Sequence, residues 1–156
     1  MMVFGSTFSA SAADYKIGVV NAPRVLEQAP QADVARKKLE KEFATRDRDL
    51  VAAQKALQTL EERLAKDGAI MSETERSRIE RDIVTKRRDI KRETTEFQED
   101  VNFRRNEEMG KIQEDIANAI VELAKEQGFD MILGTGVIYA SEKVDVTDQV
   151  IKKLQQ

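Results

Sequence analysis

Between Ala32 and Lys66 the chain has neither proline nor glycine, and apolar side chains recur at Leu39, Phe43, Leu50, Ala53, Leu57, Leu60 and Leu64 in steps of four and three. A spacing that averages about 3.5 residues keeps one stripe of a helix turned toward a partner helix. Arg46 interrupts the stripe. Asp67-Gly68 supplies a turn, and Ser72 followed by Glu75 reads as a capping box that opens a second helix. That helix is predicted from about Ser72 to Gln127, with Ile79, Ile83, Ile90, Phe97, Val101, Met109, Ile112, Ile116, Ile120 and Leu123 on its apolar face. Lys86, Arg87 and Glu93 break this second stripe midway, so packing there is expected to thin and the distal part to bend more easily. At 1.5 Å per residue the helices reach roughly 50 Å and 80 Å, and the short turn folds them into an antiparallel hairpin whose second helix overshoots the first.

The flanks read differently. Ile17, Gly18, Val19 and Val20 form a short continuous apolar run, the pattern of a strand buried on both faces. Pro23 and Pro30 bracket a short helix anchored by Val25 and Leu26. Gly128 is a helix C-cap, after which Met131–Leu133 and Val137–Tyr139 around Gly134-Thr135-Gly136 predict a β-hairpin. Asp145 or Thr147 then caps a last helix that docks through Val150, Ile151 and Leu154. Gly110 falls inside the long helix at a cost of about 1 kcal/mol relative to alanine, which calls for a close approach of the first strand or the short helix.

The fold class is therefore α+β, mainly α: a long antiparallel coiled-coil hairpin over residues 32–106, with its tip near 67–72, projecting from a small β-containing body made of 13–31 and 107–156. Three strands of three or four residues cannot bury a core alone and leave open edges. Joining the bodies of two to four copies would close them into a barrel, so a homo-oligomer is expected.

Composition narrows function. With 35% charged residues and 5% aromatics the chain is ill suited to one thick core. It has no cysteine and no histidine, so thiol nucleophiles, imidazole bases and the commonest metal ligands are missing, and neither an enzyme, a cofactor nor a metal site is expected. A net charge of -3 argues against specific nucleic-acid binding. Gly134-Thr135-Gly136 lacks the lysine and spaced glycines of a phosphate loop. The mildly apolar start and the small residues Ala10, Ser11 and Ala12 read over 1–12 as the remnant of a secretory signal, which places the protein outside the cytoplasm.

With these residues in view the chain resembles the Skp (OmpH-like) family of periplasmic chaperones from about Asp14 to Leu154. The resemblance is carried by the opening Lys16 to Asn21, the run Arg104, Arg105, Asn106, Glu107, Glu108, Met109, Gly110, and the closing helix over Asp145 to Leu154. It implies a periplasmic trimer with a nine-stranded barrel body and three arms enclosing a cavity for unfolded outer-membrane proteins, held without ATP. It also implies a lipopolysaccharide or anionic-surface contact at Arg104 and Arg105. A second basic region lies on the arm: Arg76, Arg78, Arg81, Lys86, Arg87, Arg88, Lys91 and Arg92 outnumber Glu80, Asp82 and Asp89 and could face anionic clients or membrane surfaces. A solvated face with i,i+4 pairs explains the same charges. Two other functions fit the pattern: a structural coiled-coil scaffold of the envelope that binds one defined partner, and a cytosolic prefoldin-like holder.

Overall fold

The computed structural model describes residues 14–155, with elements in the order β1 (Ile17–Val19), α1 (Ala22–Gln28), α2 (Pro30–Asp67), α3 (Glu73–Gln127), β2 (Met131–Leu133) and α4 (Thr147–Lys153). The expected secretory remnant over 1–12 lies outside the described residues. The chain forms two compact units: Gln31–Ile112, and the segment up to Pro30 together with that from Gln113 onward. Among the described residues no helix is long and apolar enough to cross a membrane.

The Gln31–Ile112 unit is an antiparallel pair of helices. On α2, Leu39, Phe43, Ala53, Leu57, Leu60 and Leu64 are half-buried and Leu50 is buried, while Arg46 is exposed. The heptad stripe is thus the contact face. It stays half-covered because two helices alone supply no third layer. Gly68 closes α2 by donating its N–H to the Leu64 carbonyl at 3.0 Å. A Cβ there would stand 2.4 Å from that same oxygen, so a side chain is barred. Ser72 Oγ accepts from the Glu75 N–H at 3.2 Å, and the Glu75 carboxylate takes Arg63 at 2.6 Å. The first half of the capping box forms; the acid serves the opposite helix.

The face of α3 departs from the expected one. Ile79 and Ile83 are buried near the turn, whereas Lys86, Arg87 and Glu93 are exposed and Ile90 is only half-buried, so the packing thins midway as expected. Arg87, read as a break in the stripe, reaches Glu61 across the hairpin at 2.6 Å. The stripe then runs through Thr94, Phe97 and Val101 to Arg104, which is half-buried, and Glu108, only 8% exposed. Polar layers therefore replace apolar ones in this stretch. Gly110 is exposed, with nothing within 4 Å of an added Cβ, so no element of the described chain makes the close approach that was expected.

The second unit is built on β1. It pairs in parallel with β2, in the register Ile17↔Met131, Gly18↔Ile132 and Val19↔Leu133, and bridges on its other side to Asp145. Asn21 caps α1 by accepting from the Arg24 N–H at 3.1 Å, and its own N–H donates to Thr147 Oγ1 at 2.9 Å. Asp145 Oδ1 accepts from the Thr147 N–H at 2.8 Å and starts α4. Val25 and Val150 are fully buried with Val20, Val146 and Ile151 in the core. Gly128, at φ +67, takes the left-handed conformation that ends α3, and the Phe129 N–H returns to Ala124 O at 2.9 Å.

Two strand expectations are corrected. The β1 run is not buried on both faces, since Ile17 is 42% exposed: a two-stranded sheet has too little chain to cover both sides. Val137–Tyr139 forms no strand, and no hairpin closes around Gly134-Thr135-Gly136. β2 pairs with β1 instead, and within the described chain the later segment finds no ladder to join. Ile138 is fully exposed and Tyr139 is 84% exposed.

Candidate functional site

Charge organises one flank of the helical hairpin. Lys38 meets Glu108 at 2.9 Å, Arg104 meets Glu42 at 2.9 Å, and Arg46 meets Asp100 at 2.5 Å. Each step along α2 is four residues forward and each along α3 four back, so the three pairs are consecutive rungs of an antiparallel ladder with alternating sign. Arg104 is its most occupied member. It donates from Nε and Nη2 to Glu42, also contacts Glu107, and lies 3.5 Å from Glu108. Its pKa is raised, first by the hydrogen bond to Glu42 and then by that to Glu107.

The acids respond in kind. Glu42 is held below the ordinary carboxylate range by the Arg104 hydrogen bond; Glu107 by Lys111 and then Arg104; Glu108 by Lys38 and then Lys111. Lys111 is raised by the same two glutamates. On the flank, Arg46 also stands over the Phe97 ring at 5.6 Å, and Phe97 packs edge-on against Phe43 with centroids 5.6 Å apart.

The other flank is open. An apolar groove of about 750 Å³ lies between α2 and α3, with Leu39, Phe43, Phe97 and Val101 in its wall and Arg105 among its lining residues. The two arginines of the sequence pair thus separate: Arg104 is committed to three carboxylates, and Arg105 is exposed with no ion pair among the described residues.

The basic arm divides in the same way. Arg76 pairs with Glu80 at 3.1 Å, Arg87 with Glu61 at 2.6 Å, Arg92 with Glu96 at 3.0 Å, and Arg88 lies 3.6 Å from Asp89. Arg78, Arg81, Lys86 and Lys91 have no ion-pair partner among the described residues. By helical spacing Arg78, Arg81, Arg88 and Arg92 share the face of α3 turned away from Ile79, Ile83 and Ile90.

Sequence reading missed the ladder and the groove. The ladder was available in principle: Lys38, Glu42, Arg46 against Asp100, Arg104, Glu108 is a matched plus-minus-plus and minus-plus-minus set at i,i+4 spacing. The groove has a fainter sign in Ala32, Ala35 and Ala44, small residues beside the stripe that leave space where a large side chain would fill it. Among the described residues no cluster of acidic side chains is placed to hold a metal ion.

The comparisons with known proteins cover nearly all of this. The family model described as "Outer membrane protein (OmpH-like)" matches residues 16–154. The chain is 32% identical to the chaperone protein Skp of Yersinia enterocolitica over 94% of its own length and 90% of that protein's. It is also 32% identical to that of Pectobacterium atrosepticum, over 99% and 93%. An OmpH-like protein crystal structure from Caulobacter crescentus CB15 superposes with a TM-score of 0.78 over 98% of this chain and 90% of that one, at 16% identity, and shows the same fold.

Proposed function

The chain belongs to the OmpH-like family together with the Skp chaperones, and from that membership we propose that it is an ATP-independent periplasmic holdase that keeps unfolded outer-membrane proteins from aggregating. The observation that carries this reading is the extent of the match: identity to a Skp chaperone runs over 94% of this chain, so the helical hairpin and the strand-bearing unit both lie inside it. The geometry agrees with passive holding. A holdase must offer apolar surface reversibly, and the hairpin keeps a half-covered seam and an open apolar groove in water. Several modest contacts on different arms then give tight overall holding through avidity.

We assign the strand-bearing unit to assembly. Copies joined there complete a β-barrel body, a trimer by family resemblance, and clients sit in the cavity between their hairpins. What supports this is the small sheet: β1 and β2 have three residues each, and Ile138 and Tyr139 stand exposed after β2 with no ladder of their own. For contact with lipopolysaccharide or another anionic surface, Arg105 is the member of the arginine pair that makes no ion pair among the described residues, and Arg78, Arg81, Lys86 and Lys91 of the arm, equally without one among those residues, join it.

The test is light scattering of a urea-unfolded outer-membrane β-barrel protein diluted into buffer with stoichiometric chaperone and no nucleotide. Suppressed scattering is expected. A scaffold for one defined partner would leave the denatured protein to aggregate, and that result would end the holdase reading.

A further inference from the structure

The two flanks of the hairpin differ in what they can receive. One is stitched by the ion-pair ladder. On the other, the apolar wall formed by Leu39, Phe43, Phe97 and Val101 is edged by Arg48 and Arg105 against Glu40 and Asp47, while the remaining charged lining residues are already paired, Arg36 with Asp33 and Glu108 with Lys38. A rim of balanced sign sets up no field that would gather a polyanion or a polycation. The wall below it favours an uncharged segment that presents apolar side chains on one side only, because the opposite side remains in water.

Length narrows the occupant. From Ala32 to Arg48 the groove follows sixteen residue steps of α2, roughly 24 Å at 1.5 Å per step. That is the reach of about seven residues of extended chain. Strands of outer-membrane β-barrels alternate apolar and polar side chains over about ten residues. Such a strand, before it folds, would lay three or four apolar side chains into the groove at roughly 7 Å intervals and keep the intervening polar ones in solvent. A second copy of this chain is a poorer match: its exposed strand-like segment offers Ile138 and Tyr139, two residues where the groove has room for more.

Resting on the holdase reading above, we propose that the groove between α2 and α3 binds one extended client segment of alternating apolar and polar residues, so that each arm reads about seven of the roughly ten residues of a transmembrane strand. The site selects by alternation, not by charge. It leaves the ladder flank free of client.

The chain has no cysteine, so Ala44→Cys in the groove and Asp49→Cys on the ladder flank, two helical turns on from Glu42, each carry a single benzophenone label. Both labelled full-length proteins are mixed with a urea-unfolded outer-membrane β-barrel protein on dilution and irradiated. Client cross-links are expected from position 44 in large excess over position 49. A ten-residue alternating peptide should compete for them, and a peptide of the same composition in permuted order should not. Ala44→Trp, which fills the groove from an exposed position, should weaken the alternating peptide about tenfold, the equivalent of one displaced apolar side chain, with an unchanged circular dichroism spectrum. Equal cross-linking from both positions, or equal competition by the two peptides, would overturn the groove assignment while scattering still suppressed leaves the holdase reading intact. Chain-to-chain cross-links from position 44 would give the groove to a second copy. Unsuppressed scattering would remove the holdase reading, and the peptide competition would then decide the groove alone.

Discussion

Arg104 and Glu42 meet across the two helices of the hairpin at 2.9 Å, between the Lys38–Glu108 and Arg46–Asp100 contacts, and the sign reverses at each rung. Exposed ion pairs are individually weak, about 0–1 kcal/mol or less. Their order carries more information than their strength. Moving one helix past the other by a turn sets Lys38 against Arg104 and Glu42 against Asp100, or, in the other direction, Arg46 against Arg104 and Glu42 against Glu108. Either slip turns two attractions into repulsions. The turn at Gly68 holds the register at one end of the hairpin, and the ladder holds it where the seam gives way to polar residues.

Because Arg104 serves Glu42 through two nitrogens and Glu107 through a third, the fork shape matters as well as the charge. Thermal melts followed by circular dichroism should rank wild type above Arg104→Lys, and Arg104→Lys above Arg104→Ala. The gaps should narrow in high salt. A lysine variant that melts with wild type would reduce the cluster to a simple charge contact.

Acid acts on the same cluster with a definite sign. Glu42, Glu107 and Glu108 are all lowered by hydrogen bonds from basic partners, so they add stability that is fully present above the unfolded glutamate value of about 4.3 and is lost as pH falls through their lower folded values. Lys111, raised by Glu107 and Glu108, adds stability that is complete below its unfolded value and lost only in strong alkali. Melting temperature should therefore stay level from pH 7 to about 5 and drop below about 4. A drop already complete at pH 5 would mean that other groups govern the acid limb.

The hairpin and its turn were legible in the sequence because a 3.5-residue stripe, Gly68 and Ser72 all act locally. The short helices were legible for the same reason: Pro23 and Pro30 bracket α1, and Asp145 and Thr147 open α4, signals read within one turn. What escaped depends on pairing between distant segments. The run Met131–Leu133 and the run Val137–Tyr139 look alike in sequence, yet only the first lies beside Lys16 to Val19, reached when Asp130 accepts from the Lys16 N–H at 2.8 Å. Arg104 and Arg105 are likewise adjacent in the chain and point to different flanks, a difference of one helical step that composition cannot express.

Gly110 gives a direct check on the corrected role of that residue. A Cβ at this position meets nothing within 4 Å, so Gly110→Ala should gain the helix-propensity difference of about 0.5–1 kcal/mol in chemical denaturation. Destabilisation on this change would mean that another molecule packs against the helix there.

Burial separates the valines sharply. Val150 is fully buried, so Val150→Ala should cost about 2 kcal/mol from lost burial and the cavity left behind. Val34 is exposed on α2, and Val34→Ala should change stability by less than about 0.5 kcal/mol. Urea melts of the two variants give both values; equal losses would contradict the assignment of the core to the packing of α1 and α4.

The exposed segment after β2 tests assembly separately from folding. Ile138 contributes nothing to the core of its own chain, so Ile138→Asp should leave the helical circular dichroism signal unchanged. If copies join there, a carboxylate placed in the new interface goes unpaired and desolvated, and association should fail. Sedimentation equilibrium should then read the mass of a single chain, with Val34→Asp on the hairpin as a control that keeps the wild-type mass. Should Ile138→Asp retain the full assembly, the subunits must meet through another surface, and the exposed pair Ile138 and Tyr139 would need a different partner.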